Sequence, residues 1–134
     1  MKIMKHVILF IFLVSSFLMA CDSDQTDVGG TCYQTADLDA LVAFATNSGL
    51  STEHADVIAM GTSQIWDGGR LTSWMCTNCN LAGAIPSEIG NLTSLYQLIL
   101  NNNALTGSIP SEMGSLLNMT TLFLNGNQLS GSIP

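Results

Sequence analysis

The sequence predicts an α/β solenoid: short parallel strands, one per turn of chain, stacked behind a helical segment. Three observations carry this. From Leu71 to Pro134 the residues recur every 24 positions. Leu71-x-x-Trp74-x-Cys76-x-x-Cys79-x-Leu81-x-Gly83-x-Ile85-Pro86 aligns with Leu95-x-x-Leu98-x-Leu100-x-x-Asn103-x-Leu105-x-Gly107-x-Ile109-Pro110, and again with Met119-x-x-Leu122-x-Leu124-x-x-Asn127-x-Leu129-x-Gly131-x-Ile133-Pro134. A fixed period of this length marks units too small to bury an apolar face alone, which therefore stack. Within each unit the apolar residues alternate with polar ones, as in a short strand with one face buried. Ahead of the repeats, Leu38, Leu41, Val42 and Ala45 fall on one face of a helix.

In chain order, residues 1–20 read as an export signal. Lys2 and Lys5 form a basic start, and the apolar run Val7–Met19 is too short for a comfortable bilayer span. Leu18-Met19-Ala20-Cys21 resembles the bacterial lipobox, which implies lipidation of Cys21 and a chain anchored at the bacterial cell envelope or surface. Met19 departs from the small or β-branched residue usual there. The alternative is ordinary cleavage near Ala20 and a secreted chain, with Cys21 free or disulfide-bonded. Residues 21–34, carrying Asp22, Asp24 and Asp27, then read as a solvated flexible tether.

Residues 35–70 read as a helical cap over the apolar end of the stack. Thr35 or Asp37 is placed to N-cap the helix, and Asn47-Ser48-Gly49 ends it. Leu50, Val57, Ile58 and Met60 add apolar cover. Trp66 reads as a lid on the first repeat, with an exposed aromatic platform as the other reading.

The repeats (71–94, 95–118 and the partial 119–134) resemble leucine-rich repeats of the 24-residue form LxxLxLxxNxLxGxIPxxIGxL, found in plant receptors and bacterial surface proteins. The resemblance implies a right-handed solenoid with its strands on the concave face. It further implies that Asn103 and Asn127 turn inward to bond loop backbone. Ser87-Glu88-Ile89-Gly90 and Ser111-Glu112-Met113-Gly114 read as short helical turns. The rhythm stops within a repeat, which reads as the start of a longer array or as an end covered by something else.

Strand positions that face away from the core form columns when the repeats are superposed. One holds Met75, Ile99 and Phe123. Beside it run Thr72, Tyr96 and Thr120, then Ser73, Gln97 and Thr121; beyond the strands come Thr77, Asn101 and Asn125. An apolar strip with a polar rim suits protein recognition, while simple cross-strand pairing is the other reading. The candidate contact residues are Met75, Tyr96, Gln97, Ile99, Asn101, Thr121, Phe123 and Asn125. The partner is a protein or peptide, or alternatively a glycan held by Trp66, Tyr96 and the Asn and Thr columns.

Cys76-Thr77-Asn78-Cys79 has the spacing of a redox or zinc motif, but the register places both cysteines at inward repeat positions. With Cys21 lipidated, Cys32 is free to bond Cys76 or Cys79 and staple the cap to the first repeat. No metal or other cofactor is expected. The spacing of Asp22, Asp24 and Asp27 lacks the glycine and final Glu of a calcium loop. No catalytic set is expected either, since His54 is the one histidine after the signal. Beyond residue 20 a single basic side chain, Arg70, stands against ten acidic ones, a formal charge of −9. Nucleic acid, which is bound through Lys and Arg, is disfavoured as a partner.

Overall fold

The computed structural model describes residues 21–134, so the export signal expected over 1–20 lies outside the described residues. Among those described, no helix is long and apolar enough to cross a membrane.

The chain opens with a hairpin. β1 (Gln25–Val28) runs antiparallel to β2 (Thr31–Gln34), with Val28 opposite Thr31. The two-residue loop is Gly29-Gly30, at φ 63° and 87°. Tight loops of this hand need positive φ at both positions, which glycine adopts without steric cost. The flexible tether expected over 21–34 is thereby corrected. Asp27 faces solvent, while Val28 and Tyr33 pack against the core and supply the apolar contact that holds the hairpin down. A disulfide joins Cys21 to Cys32, Cα atoms 5.5 Å apart.

Helix α1 (Thr35–Ser48) follows directly and buries Asp37, Leu38, Ala40, Leu41, Phe44 and Ala45. Val42, expected on the buried face, is only partly covered. Phe44 takes the interior instead, meeting Trp74 edge-on with ring centroids 5.0 Å apart. The N-cap residue is Gln34, with no side-chain cap bond. The two residues expected to cap are engaged elsewhere: Thr35 Oγ1 bonds Thr26 Oγ1, and the Asp37 carboxylate accepts from Arg70 and from the Leu71 N–H. The helix ends as expected at Gly49 (φ 67°), where the Leu50 N–H donates back to Ala45 O. Its last turn docks on the repeats. Asn47 Nδ2 donates to Ala84 O at 2.8 Å, and Ser48 Oγ accepts from Ala82 N at 2.9 Å. The short α2 (His54–Ile58) buries Val57.

The segment 63–67, within the stretch expected to be a helical cap, is a strand. β3 (Ser63–Asp67) pairs antiparallel with β4 (Arg70–Met75). β4 is joined in parallel by β6 (Gln97–Ile99), and β6 by β8 (Thr121–Phe123), giving a sheet of order β3-β4-β6-β8. Trp74, Leu98 and Leu122 are in register, so the 24-residue period of the sequence is the spacing of the rungs. A second parallel sheet stacks β5 (Ala82–Ala84), β7 (Ala104–Gly107) and β9 (Gln128–Leu129). Single 3-10 turns at Ser87–Asn91 and Ser111–Ser115 link the two sheets.

Between the sheets lies one core. Leu71, Trp74, Cys76, Leu81, Ile89, Leu92, Leu95, Leu98, Leu100 and Leu105 are fully excluded from solvent. Burial of each large apolar side chain contributes about 1.5–3 kcal/mol. Two polar devices complete it. Asn103 Oδ1 accepts from the N–H groups of Cys79 (2.9 Å) and Leu81 (3.1 Å), and its Nδ2 donates to the carbonyls of Cys76 (2.7 Å) and Leu100 (3.0 Å). Asn127 repeats this one rung later, accepting from Leu105 N and donating to the Leu100 and Leu124 carbonyls. Loop backbone groups that pairing between strands cannot reach are thus satisfied. The second device is the contact of buried Asp37 with Arg70. Arg70 Nε donates to Asp37 Oδ2 at 3.1 Å. Arg70 Nη2 lies 3.0 Å from Asp37 Oδ1, yet it directs its hydrogens to Asn91 O and Thr93 Oγ1, which leaves Oδ1 without a hydrogen bond. Burial raises the Asp37 pKa above the ordinary carboxylate value; the Leu71 N–H bond and Arg70 offset this only in part.

Candidate functional site: the outer face of the four-stranded sheet

Strand side chains alternate, so with Trp74, Leu98 and Leu122 turned to the core, their neighbours turn outward. The pairing aligns Ser73, Gln97 and Thr121 in one column and Met75, Ile99 and Phe123 in the next, as the repeat register predicts. Exposure rises along the stack. Met75 and Ile99 are half-buried, whereas Phe123 is 53% exposed and Tyr96 42%. Rungs are about 4.8 Å apart, so neighbouring column members touch.

Polar residues flank this strip in hydrogen-bonded pairs. Ser73 Oγ donates to Gln97 Oε1 and Thr77 Oγ1 to Asn101 Oδ1, both at 2.8 Å. Ser73 is buried between Ile65 and Gln97, its partners across the sheet. In both pairs the amide oxygen is taken, and the amide nitrogen donates to no protein acceptor among the described residues. The Thr72 and Thr120 hydroxyls are spent on backbone, donating to the carbonyls of Ile65 and Tyr96. Thr121 is half-exposed and Asn125 exposed, the latter holding its rung through Asn102 N–H to Asn125 O. The structure therefore brings the eight candidate residues onto one face.

It adds one that the repeat pattern does not contain. Ile65 on β3 lies opposite Ser73 and is 47% exposed. Its signal was the strand-like run Ser63-Gln64-Ile65-Trp66-Asp67, which carries no repeat register. Trp66 stays off this face. It packs edge-on against Tyr33 (4.8 Å) and donates to Gln64 Oε1, covering the core rather than forming a platform.

The cysteines pair differently from expectation. Neither Cys32–Cys76 nor Cys32–Cys79 forms; Cys32 bonds Cys21, and Cys76 bonds Cys79. Locality decides it. The hairpin returns Cys32 toward residue 21. The turn at Thr77-Asn78, with Asn78 at φ 56°, brings the Cys76 and Cys79 Cα atoms to 5.4 Å. Cys76 is buried and Cys79 half-buried, as their inward register requires. The Cys21 sulfur, expected to carry lipid, is occupied in this bond. Among the described residues no cluster of three or more His, Cys, Asp or Glu could hold a metal ion.

The profile of the Leucine Rich Repeat family matches residues 94–116, the second rung and the turns on either side of its strand. Two solved structures from Arabidopsis thaliana superpose on most of the chain. The ectodomain of the receptor kinase SOBIR1, itself a leucine-rich repeat structure, is 28% identical, covers 76% of this chain and gives a TM-score of 0.61. The BIR3–SERK2 complex is 33% identical, covers 74% and gives 0.57. The chain is a leucine-rich repeat protein. It spans 59% and 58% of the lengths of those two chains. No curated protein matches it. The leucine-rich repeat assignment accounts for the inward asparagines and the paired parallel sheets, and it supports a role in protein interaction.

Proposed function

We propose that this leucine-rich repeat protein is an exported, non-enzymatic binding module. It recognises a protein or peptide through the outer face of the β3-β4-β6-β8 sheet, the concave face of a right-handed solenoid whose N-terminal end is capped by the hairpin, α1 and α2. The observation that carries the reading is the strip of exposed Ile65, Tyr96 and Phe123 around half-buried Ile99, on rungs whose outward columns carry no charge, rimmed by the Ser73–Gln97 and Thr77–Asn101 pairs. Large exposed apolar side chains inside a polar rim suit desolvation by a partner. The SOBIR1 structure is that of an ectodomain, and the BIR3–SERK2 structure is a complex of two proteins; both favour an exported, protein-binding role.

The test is capture of protein partners by the chain and by a Tyr96→Ala, Phe123→Asp double variant, with a glycan array alongside. The reading requires capture to be lost while the melting transition is kept. Unchanged capture, or binding to glycans alone, refutes it. Attachment to a membrane through Cys21 belongs to the same proposal in one of two exclusive forms. An anchored chain carries a lipid on Cys21 and a free Cys32 thiol. A secreted chain carries the Cys21–Cys32 bond found here. Intact mass of the mature protein separates them.

A further inference from the structure

We infer that the segment bound on this face is a basic peptide in extended conformation. The inference rests on the reading of the sheet as the binding surface, and it names the chemistry of the partner.

Charge is the first observation. Among the described residues Arg70 is the single Lys or Arg, and its guanidinium is already engaged by Asp37, Asn91 O and Thr93 Oγ1. Nine of the ten carboxylates are exposed, and among the described residues none of these nine is paired with a cation. Their field extends about 10 Å at 0.1 M salt, speeds encounter with cations and repels anions. The second observation is where those charges are not. The outward positions of the four columns are Thr, Ser, Gln, Asn, Tyr, Met, Ile and Phe. No carboxylate stands in these columns, the nearest in the sheet being Asp67 at the end of β3, so the charge steers the partner while the contact with the columns is neutral and partly apolar.

Polarity of the rim is the third. Gln97 and Asn101 each spend the amide oxygen on a hydroxyl of the preceding rung, and their NH2 groups donate to no protein acceptor among the described residues. They flank Ile99 at two residues on either side, about 13 Å apart along a strand. Carbonyls on one side of an extended peptide recur every second residue, about 6.6 Å, so two of them reach both amides while a side chain between them lies on Ile99 and Phe123. A cationic ligand that presents acceptors at this spacing is a peptide segment with Lys or Arg beside an apolar residue.

The experiment is selection of random twelve-residue peptides on the full chain, followed by kinetics of the best binders. The inference expects peptides of net positive charge with at least one large apolar residue, and an association rate that falls by at least about tenfold from 50 to 500 mM NaCl. Glu88 and Glu112 lie in the 3-10 turns, off the face. The double variant Glu88→Gln, Glu112→Gln is expected to slow association about two- to threefold with dissociation unchanged, a split that loss of a direct contact does not give. Phe123→Asp is expected to abolish binding. Selected peptides that are neutral or acidic, or association indifferent to salt, overturn the inference while leaving the binding surface in place. Binders that tolerate Phe123→Asp with an unchanged melting transition, or no selectable binder at all, overturn the surface itself and the inference with it.

Discussion

Replacing Asn103 by Ala tests the polar ladder that the repeats are built around. Five backbone groups bond this side chain: the N–H groups of Cys79 and Leu81, the carbonyls of Cys76 and Leu100, and at 3.4 Å the carbonyl of Asn101, which also accepts from the Asn78 N–H. The Leu100 carbonyl keeps a second donor, Asn127 Nδ2 at 2.9 Å, so three groups are orphaned. At about 1 kcal/mol for each partly buried group left unpaired, Asn103→Ala costs about 3 kcal/mol. Two controls scale it. Asn127→Ala orphans only Leu105 N and Leu124 O, in a more exposed rung, and is expected to cost about 1–2 kcal/mol. Asn101→Ala removes one half-exposed hydroxyl contact and is expected to cost about 0.5 kcal/mol or less. Equilibrium unfolding in denaturant, followed by the fluorescence of Trp66 and Trp74 with disulfides intact, reads all three, and an unchanged slope confirms a common unfolded state. If Asn103→Ala costs no more than Asn101→Ala, the ladder does not hold the loops and the reasoning fails.

Three further outcomes follow from the packing. Gly83 has φ +72° and a Cβ there would lie 2.8 Å from Asn47 O, whereas at Gly107 (φ +73°) it would meet nothing closer than 3.8 Å. Gly83→Ala is therefore expected to destabilise by at least about 1 kcal/mol more than Gly107→Ala in the same unfolding assay, since both carry the backbone strain and only one adds a clash. Leu98→Ala, at a fully buried central rung, is expected to cost about 2–5 kcal/mol by the same measurement. The pH dependence of Asp37 has a definite sign. Its folded pKa is raised, so the folded chain holds that proton to higher pH than the unfolded chain does. The stability this gives is fully present below about pH 4, the unfolded value, and is lost as pH climbs through the folded one. The melting temperature of the wild type relative to Asp37→Asn is expected to fall between pH 3 and 7; a rise means that Arg70 outweighs burial.

Most of the sheet face was legible in the sequence, because a strict period fixes the register and strand alternation then fixes the outward columns. Asn103 and Asn127 were legible for the same reason. What escaped lies outside the period. The hairpin 25–34 was hidden by the acidic stretch Asp22, Asp24 and Asp27 that leads into it, although Gly29-Gly30 marked the turn. Ile65 was missed because a strand paired antiparallel to the first rung leaves no trace in the repeat. The N-cap was misplaced because a propensity assigns Asp37 to its own helix, while the fold supplies Arg70 and the Leu71 N–H from another element. The disulfides followed from local turn geometry at Cys21–Cys32 and Cys76–Cys79, which spacing alone did not rank against a longer-range staple.

The ladder also has a direction. Each asparagine reaches back to the rung before it: Asn103 to Cys76, Cys79 and Leu81, and Asn127 to Leu100 and Leu105. A rung thus has unfilled loop groups until the next asparagine, 24 residues further along the chain, is in place. The first rung follows a hairpin strand rather than an earlier repeat, and there Cys79 stands in place of asparagine, bonded within its own loop. Each turn of the chain thus finishes the one before it.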